Sequence, residues 1–118
     1  NAKEKEARIL FDLSRYNESA QRFQEILSLD KSNVEANFIL GQIAHSRGDI
    51  ANAERLFLTA ANTAEGEFAE VNKTLGLLYR EKKKPRKSKQ YLQRYLSVGS
   101  PSPEEKEEVQ RIINNLRY

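Results

Sequence analysis

LGQIAHSRGDIANAERLF (Leu40–Phe57) places Gly41 inside what otherwise reads as a helix, and a second glycine, Gly48, seven residues later beside Asp49. Glycine in a helix interior costs roughly 0.5–1 kcal/mol against alanine, so Gly41 marks a position where a side chain would obstruct a neighbour. Gly48 can supply the positive φ that ends a helix, and Asp49 suits the cap of the next one. The stretch therefore predicts two helices, a tight turn and one point of close approach.

The same marks return along the chain. Leu40-Gly41 recurs as Leu75-Gly76, 35 residues on, Phe23 and Phe57 lie 34 apart with Leu92 following 35 later, and Leu10, Ala44 and Tyr79 keep the same register. Three copies of one unit are implied. Within the first copy the apolar residues fall at helical spacing, Ile9, Leu10 and Leu13, then Phe23, Ile26, Leu27 and Leu29. Breakers sit between paired helices at SRYNES (14–19), SRGDIAN (46–52) and KKKPRKS (82–88), where Pro85 is suited to a first helical turn. Between units lie DKSN, AEGE and GSPS, with Asn33 as a cap and Gly66 and Pro101 as stops.

The tail, SPSPEEKEEVQRIINNLRY, differs. Ser102 with Glu105 three residues on makes a capping box, Pro103 takes the first helical position, and Glu104, Glu107 and Glu108 complement the positive end of the helix dipole. Val109, Ile112, Ile113 and Leu116 form one apolar stripe. A helix with one such stripe and a charged opposite face is what ends a stack of repeats, since the last repeat needs a polar outer side.

These residues resemble the tetratricopeptide repeat, a helix-turn-helix unit of about 34 residues. The second unit carries the pattern most fully, through Leu40-Gly41, Ala44, Gly48-Asp49, Ile50, Ala53, Phe57 and Ala60-Ala61. The first is similar through Ala7, Leu10, Tyr16, Ser19, Phe23, Ile26 and Leu27, the third through Leu75-Gly76, Tyr79, Ser88, Leu92, Tyr95 and Leu96. The resemblance implies an all-α, right-handed solenoid: repeats at about 1–33, 34–67 and 69–101 and a capping helix at 103–117, in a single domain. It also implies that the small residue of each first helix admits the second helix of the pair. The family's large first-helix aromatic is replaced by Lys3, Asn37 and Asn72, and its turn proline by Lys31, Glu65 and Ser100. In the third unit Lys83 replaces the turn glycine, so a different angle between its helices is expected there.

Composition bounds the function. The chain has 118 residues, 38% hydrophobic and 31% charged, with no cysteine and one histidine. That excludes a disulfide framework and cysteine-held metals. No P-loop, strand-linked GxGxxG or HExxH occurs, so no enzyme activity and no cofactor are expected. No apolar run reaches the ~18 residues of a membrane span. The absent initiator Met suggests a trimmed chain with more repeats upstream, and the compartment is left open. RGD (47–49) reads as repeat-turn chemistry, and the sequons at Asn17 and Asn72 are short enough to arise by chance.

Function is then expected on the first helices. By the resemblance, the concave lining comprises Asn1, Glu4, Arg8, Phe11 and Asp12, then Glu35, Phe38, Gln42, His45 and Ser46, then Glu70, Lys73, Leu77, Arg80 and Glu81. Phe11, Phe38 and Leu77 are candidate anchors for a partner peptide or helix. The family subtype that grips acidic chaperone C-termini would need cations and asparagines where this chain has Glu4, Arg8, Ile39, Glu70 and Thr74, so such a tail is not the expected partner. A second surface is REKKKPRKSK (80–89), which holds Arg80, Lys82, Lys83, Lys84, Arg86, Lys87 and Lys89 against one acid, a net +6 on a chain of +3, so that the remainder carries −3. It could meet an acidic protein, nucleic acid or lipid head groups, nucleic acid being disfavoured because no aromatics interleave the run. A third possibility is a piece of a larger array that stacks on itself.

Overall fold

The computed structural model describes residues 2–64 and 68–118, which form seven α-helices and no strand. The chain divides into two compact units, Asn1–Thr63 and Ala64–Tyr118. The first holds α1 (Ala2–Asp12), α2 (Tyr16–Leu29), α3 (Val34–Ser46) and all but the last residue of α4 (Ile50–Ala64), and the second α5 (Glu70–Glu81), α6 (Pro85–Val98) and α7 (Pro103–Asn114). The stop expected at Gly66 and the turn position Glu65 lie outside the described residues.

Helix starts follow the capping residues. The Asn33 side chain accepts from Ala36 N at 2.9 Å, Ser102 Oγ accepts from Glu105 N at 3.2 Å, and Asp49 Oδ1 accepts from Asn52 N at 3.3 Å. Each satisfies one of the amide groups that a helix start leaves without a partner. In the RGD tripeptide Gly48 has φ +80°, Asp49 caps α4, and the Arg47 guanidinium donates to the Asn17 side chain. The tripeptide is thus spent on the turn.

All three turns within pairs are built alike. Ser14 and Lys83 take φ of 61° and 59°, in register with Gly48. The next amide of each turn reaches back to the preceding helix, Arg15 N to Leu10 O at 2.9 Å, Asp49 N to Ala44 O at 2.9 Å and Lys84 N to Tyr79 O at 2.8 Å. This is the reciprocal closure that accompanies a left-handed residue after a helix. The third turn therefore keeps the form of the second despite losing its glycine, and Lys83 carries the steric cost of its Cβ.

Close approach occurs where the glycines forecast it. A Cβ on Gly41 would stand 2.6 Å from the Phe57 ring, and one on Gly76 would stand 2.6 Å from Leu92 Cγ and 3.2 Å from its backbone nitrogen. Phe57 and Leu92, 2% and 0% exposed, occupy the vacated space. A second link joins the helices of these pairs. Ser19 Oγ donates to Ala7 O at 2.8 Å and Ser88 Oγ to Gly76 O at 2.7 Å, both hydroxyls fully buried, so each of these helix pairs is also joined by a hydrogen bond to the carbonyl of its small residue. A buried hydroxyl costs free energy unless it is paired, and paired it contributes about 0.5–1.5 kcal/mol.

Some apolar spacing does not end in the core. Ile9, Leu13 and Leu29 are 57%, 61% and 78% exposed. α1 meets α2 and α3 through the side that carries Ala7, and Ile9 and, one residue past the helix end, Leu13 lie off that side. Asn37, at a family aromatic position, is buried and donates to Lys31 O and Asn33 O at 3.1 and 2.9 Å, so a polar side chain braces the inter-repeat turn. α7 docks through Val109 and Ile113 on Leu92 and Tyr95 of α6, with Ile112 beside them, as its stripe implies. It ends at Asn114, three residues short of the expected 117, where Asn115 N closes the helix on the Arg111 and Ile112 carbonyls.

Phe57→Ala empties a fully enclosed position and should lower the unfolding free energy by about 3–5 kcal/mol in a denaturant titration. Lys83→Gly removes a Cβ from a left-handed residue and should raise it by about 1 kcal/mol in the same titration.

Candidate functional site

In the first unit the predicted lining is drawn together by α1 and α3. Glu4 Oε1 accepts from Asn33 Nδ2 at 2.5 Å, and Asn33 is itself the cap of α3. Arg8 Nη1 lies 3.4 Å from Glu35 Oε1, and Arg8 Nε 3.6 Å from Asp12. These links are half-exposed and each contributes at most about 1 kcal/mol; they join side chains of both signs across the two helices. Gln42, half-buried, and His45, exposed, continue the row along α3. Asn1 lies outside the described residues.

The aromatic anchors fare differently. Phe11 is half-buried with its ring centroid 5.4 Å from that of Tyr16, the first residue of α2, so it supports its own turn. Phe38 is 4% exposed, its ring 5.9 Å from that of Phe57. As a surface anchor Phe38 is corrected to a core residue. It stands three residues before Gly41, on the same helix face, and Phe57 fills that face.

In the second unit Lys73 points toward α7, with Nζ 3.7 Å from Glu105 Oε1 and 5.9 Å from the Tyr95 ring centroid. Glu70 is exposed and Leu77 half-buried. Arg80 opens into a cleft of about 620 Å³ at the α5–α6 turn, lined also by Lys83 and Pro85 and, from α7 and the residues after it, by Glu108, Arg111, Ile112, Asn115, Leu116 and Arg117.

Lys82, Lys83 and Lys84 form the turn itself, and Arg86, Lys87 and Lys89 ride the first two turns of α6. Aromatics absent from the linear run stand among these cations. Lys82 and Lys87 lie 6.0 and 5.3 Å from the Tyr79 ring centroid, Tyr79 stacks on Tyr91 at 5.6 Å, and Lys89 lies 6.0 Å from the centroid of Tyr118. Tyr79 is 2% exposed and Tyr118 68% exposed, so only the latter offers an open ring. The α7 contribution had no local signal, since Arg111 and Arg117 are some thirty residues downstream of Arg80. Among the described residues no cluster of three His, Asp or Glu side chains converges as a metal site requires, and no helix is long and apolar enough to cross a membrane.

Paired helices joined at a small residue, closed by a left-handed turn and repeated at 34–35 residues define a helical-repeat protein of the all-α solenoid class. The tetratricopeptide repeat family model matches residues 4–69, more than half of the chain, and the chain belongs to that family. Comparison with curated proteins gives no match. Among solved structures, the type III secretion translocator chaperone SycD of Yersinia enterocolitica is similar at a TM-score of 0.82 and 16% identity, covering 98% of this chain and 81% of that one. SycD in complex with a peptide of the translocator YopD gives 0.82 and 16%, over 98% and 89%. The first repeat domain of Spaghetti (RPAP3) bound to the HSP90 peptide SRMEEVD gives 0.80 and 16%, over 98% and 90%. At such identities the likeness is one of fold.

Phe38→Ala should behave as a core lesion, lowering the unfolding free energy by about 3–5 kcal/mol in a chemical denaturation series.

Proposed function

We propose that this chain is a non-catalytic scaffold that docks a segment of a partner protein in the groove lined by its first helices, on the face that α1 and α3 present. The observation that carries the reading is the row formed by Glu4, Arg8, Glu35, Gln42 and His45 on neighbouring α1 and α3. The large apolar side chains of α3 are turned inward, and the polar row is left at the surface and braced by the Arg8–Glu35 and Glu4–Asn33 contacts. A surface held in one arrangement before binding loses less side-chain entropy on docking. SycD with its YopD peptide and RPAP3 with its HSP90 peptide give the same reading support by analogy of fold.

The row has both signs, so it suits an extended or helical segment with polar contacts rather than a free acidic terminus. Glu4 and Glu35 would repel a terminal carboxylate, and Ile39, at one of the positions a carboxylate clamp would use, is 1% exposed. The partner is therefore proposed to be a protein segment other than an acidic chaperone tail. No chemistry of the chain's own is required, because docking of this kind acts by position alone.

Selection of a displayed random-peptide library on the immobilised chain tests this. Enriched peptides should lose about tenfold or more in affinity on Arg8→Glu/Gln42→Arg while far-UV circular dichroism is unchanged. Peptides that bind both forms equally would remove the α1–α3 face from consideration.

A further inference from the structure

The cleft at the α5–α6 turn has a charge the fold does not use. Arg80, Lys83, Arg111 and Arg117 line it against the single carboxylate of Glu108, a net +3. Helix ends alter this little. The C-termini of α5 and α7 each contribute about −0.5 and the N-terminus of α6 about +0.5, leaving the lining near +2.5. Among the described residues no carboxylate forms an ion pair with any of the four cations. An adjoining recess beyond Pro85, lined by Lys84, Arg86, Lys87 and Tyr118, extends the positive surface.

The floor is apolar. Ile112 rests partly on the Leu92–Tyr95–Val109–Ile113 cluster, and Leu116 and Pro85 lie beside it, each half-buried. Cations around an apolar floor complement a segment that carries acids and aliphatic side chains together. Polynucleotide fits less well, because Glu108 stands in the wall and Tyr79 is closed against Tyr91, which is itself half-buried, leaving Tyr118 as the most exposed ring that the described residues place among these cations. A volume of about 620 Å³ admits the side chains of a short segment.

We propose that this cleft is a second docking site, which binds an acidic, leucine-containing segment of a partner protein by charge complementarity at its walls and apolar contact at its floor. It shares Arg80 with the first-helix lining and uses no residue of the α1–α3 row, so each reading can fail without the other.

Fluorescence anisotropy on the full chain tests it with three labelled probes of equal length. One is a peptide with Glu and Leu at helical spacing, one the same peptide with every Leu replaced by Ser, and one a single-stranded oligonucleotide. The Glu/Leu peptide should bind, weaken as salt is raised, and lose about tenfold or more on Arg111→Glu/Arg117→Glu. The opposite-wall pair Arg80→Glu/Lys83→Glu should reproduce the loss, and Arg8→Glu/Gln42→Arg should leave the affinity unchanged. Equal binding by wild type and either wall pair would overturn the assignment. So would equal binding of the Ser peptide, or tighter binding of the oligonucleotide.

Discussion

The helices of this protein come together only as closely as the smallest residue of each first helix permits. At Gly41 and Gly76 a single methyl group would intrude to 2.6 Å on Phe57 and Leu92, so the empty volume at the glycine and the bulk of the opposing side chain are two halves of one fitted contact. Packing interiors have no spare room into which either half could move. From that contact follow the burial of Phe57 and Leu92, and the short reach that allows Ser88 to bond the Gly76 carbonyl. Ala7 and Ser19 meet the same requirement in the first pair.

The turn after each first helix is the other recurrent device, and it tolerates more chemistry than its geometry suggests. Ser14, Gly48 and Lys83 all adopt the left-handed conformation, which for a residue with a Cβ costs of order 1–2 kcal/mol. At Lys83 that cost sits beside a gain in charge, since the residue lines the cationic cleft. The repeat thus offers a surface position whose backbone is fixed by helix closure and whose side chain is free to vary.

Much of this was legible in the sequence because glycine spacing and helical periodicity report directly on backbone geometry. Gly41, Gly48, Asn33 and Ser102 each have one dominant structural use, and each is used that way. What was not legible depended on direction or on distance. Phe38 sits in register with groove positions of the family, yet the ring of Phe57 over Gly41 draws that face of α3 into the core. Lys83 gave no sign of its backbone conformation by residue type, only by its register with Gly48, because a lysine in that state is held there by the hydrogen bond that follows it. The cleft was hidden since its walls come from segments far apart in sequence, and only the docking of Val109 and Ile113 brings Arg111 near Arg80.

The capping helix α7 is fastened by one stripe, Val109 and Ile113 with Ile112 beside them, and by the Lys73–Glu105 pair. Elements held by a single apolar seam open by local unfolding at lower free energy than the rest of a domain. Amide hydrogens of α7 are therefore set to exchange through excursions that leave α5 and α6 paired, and each such excursion takes apart one wall of the cleft. Anything bound across that cleft would slow the exchange in proportion to its occupancy, because it binds the closed form alone. Helix α7 is in this sense the component whose folding is thermodynamically linked to occupancy.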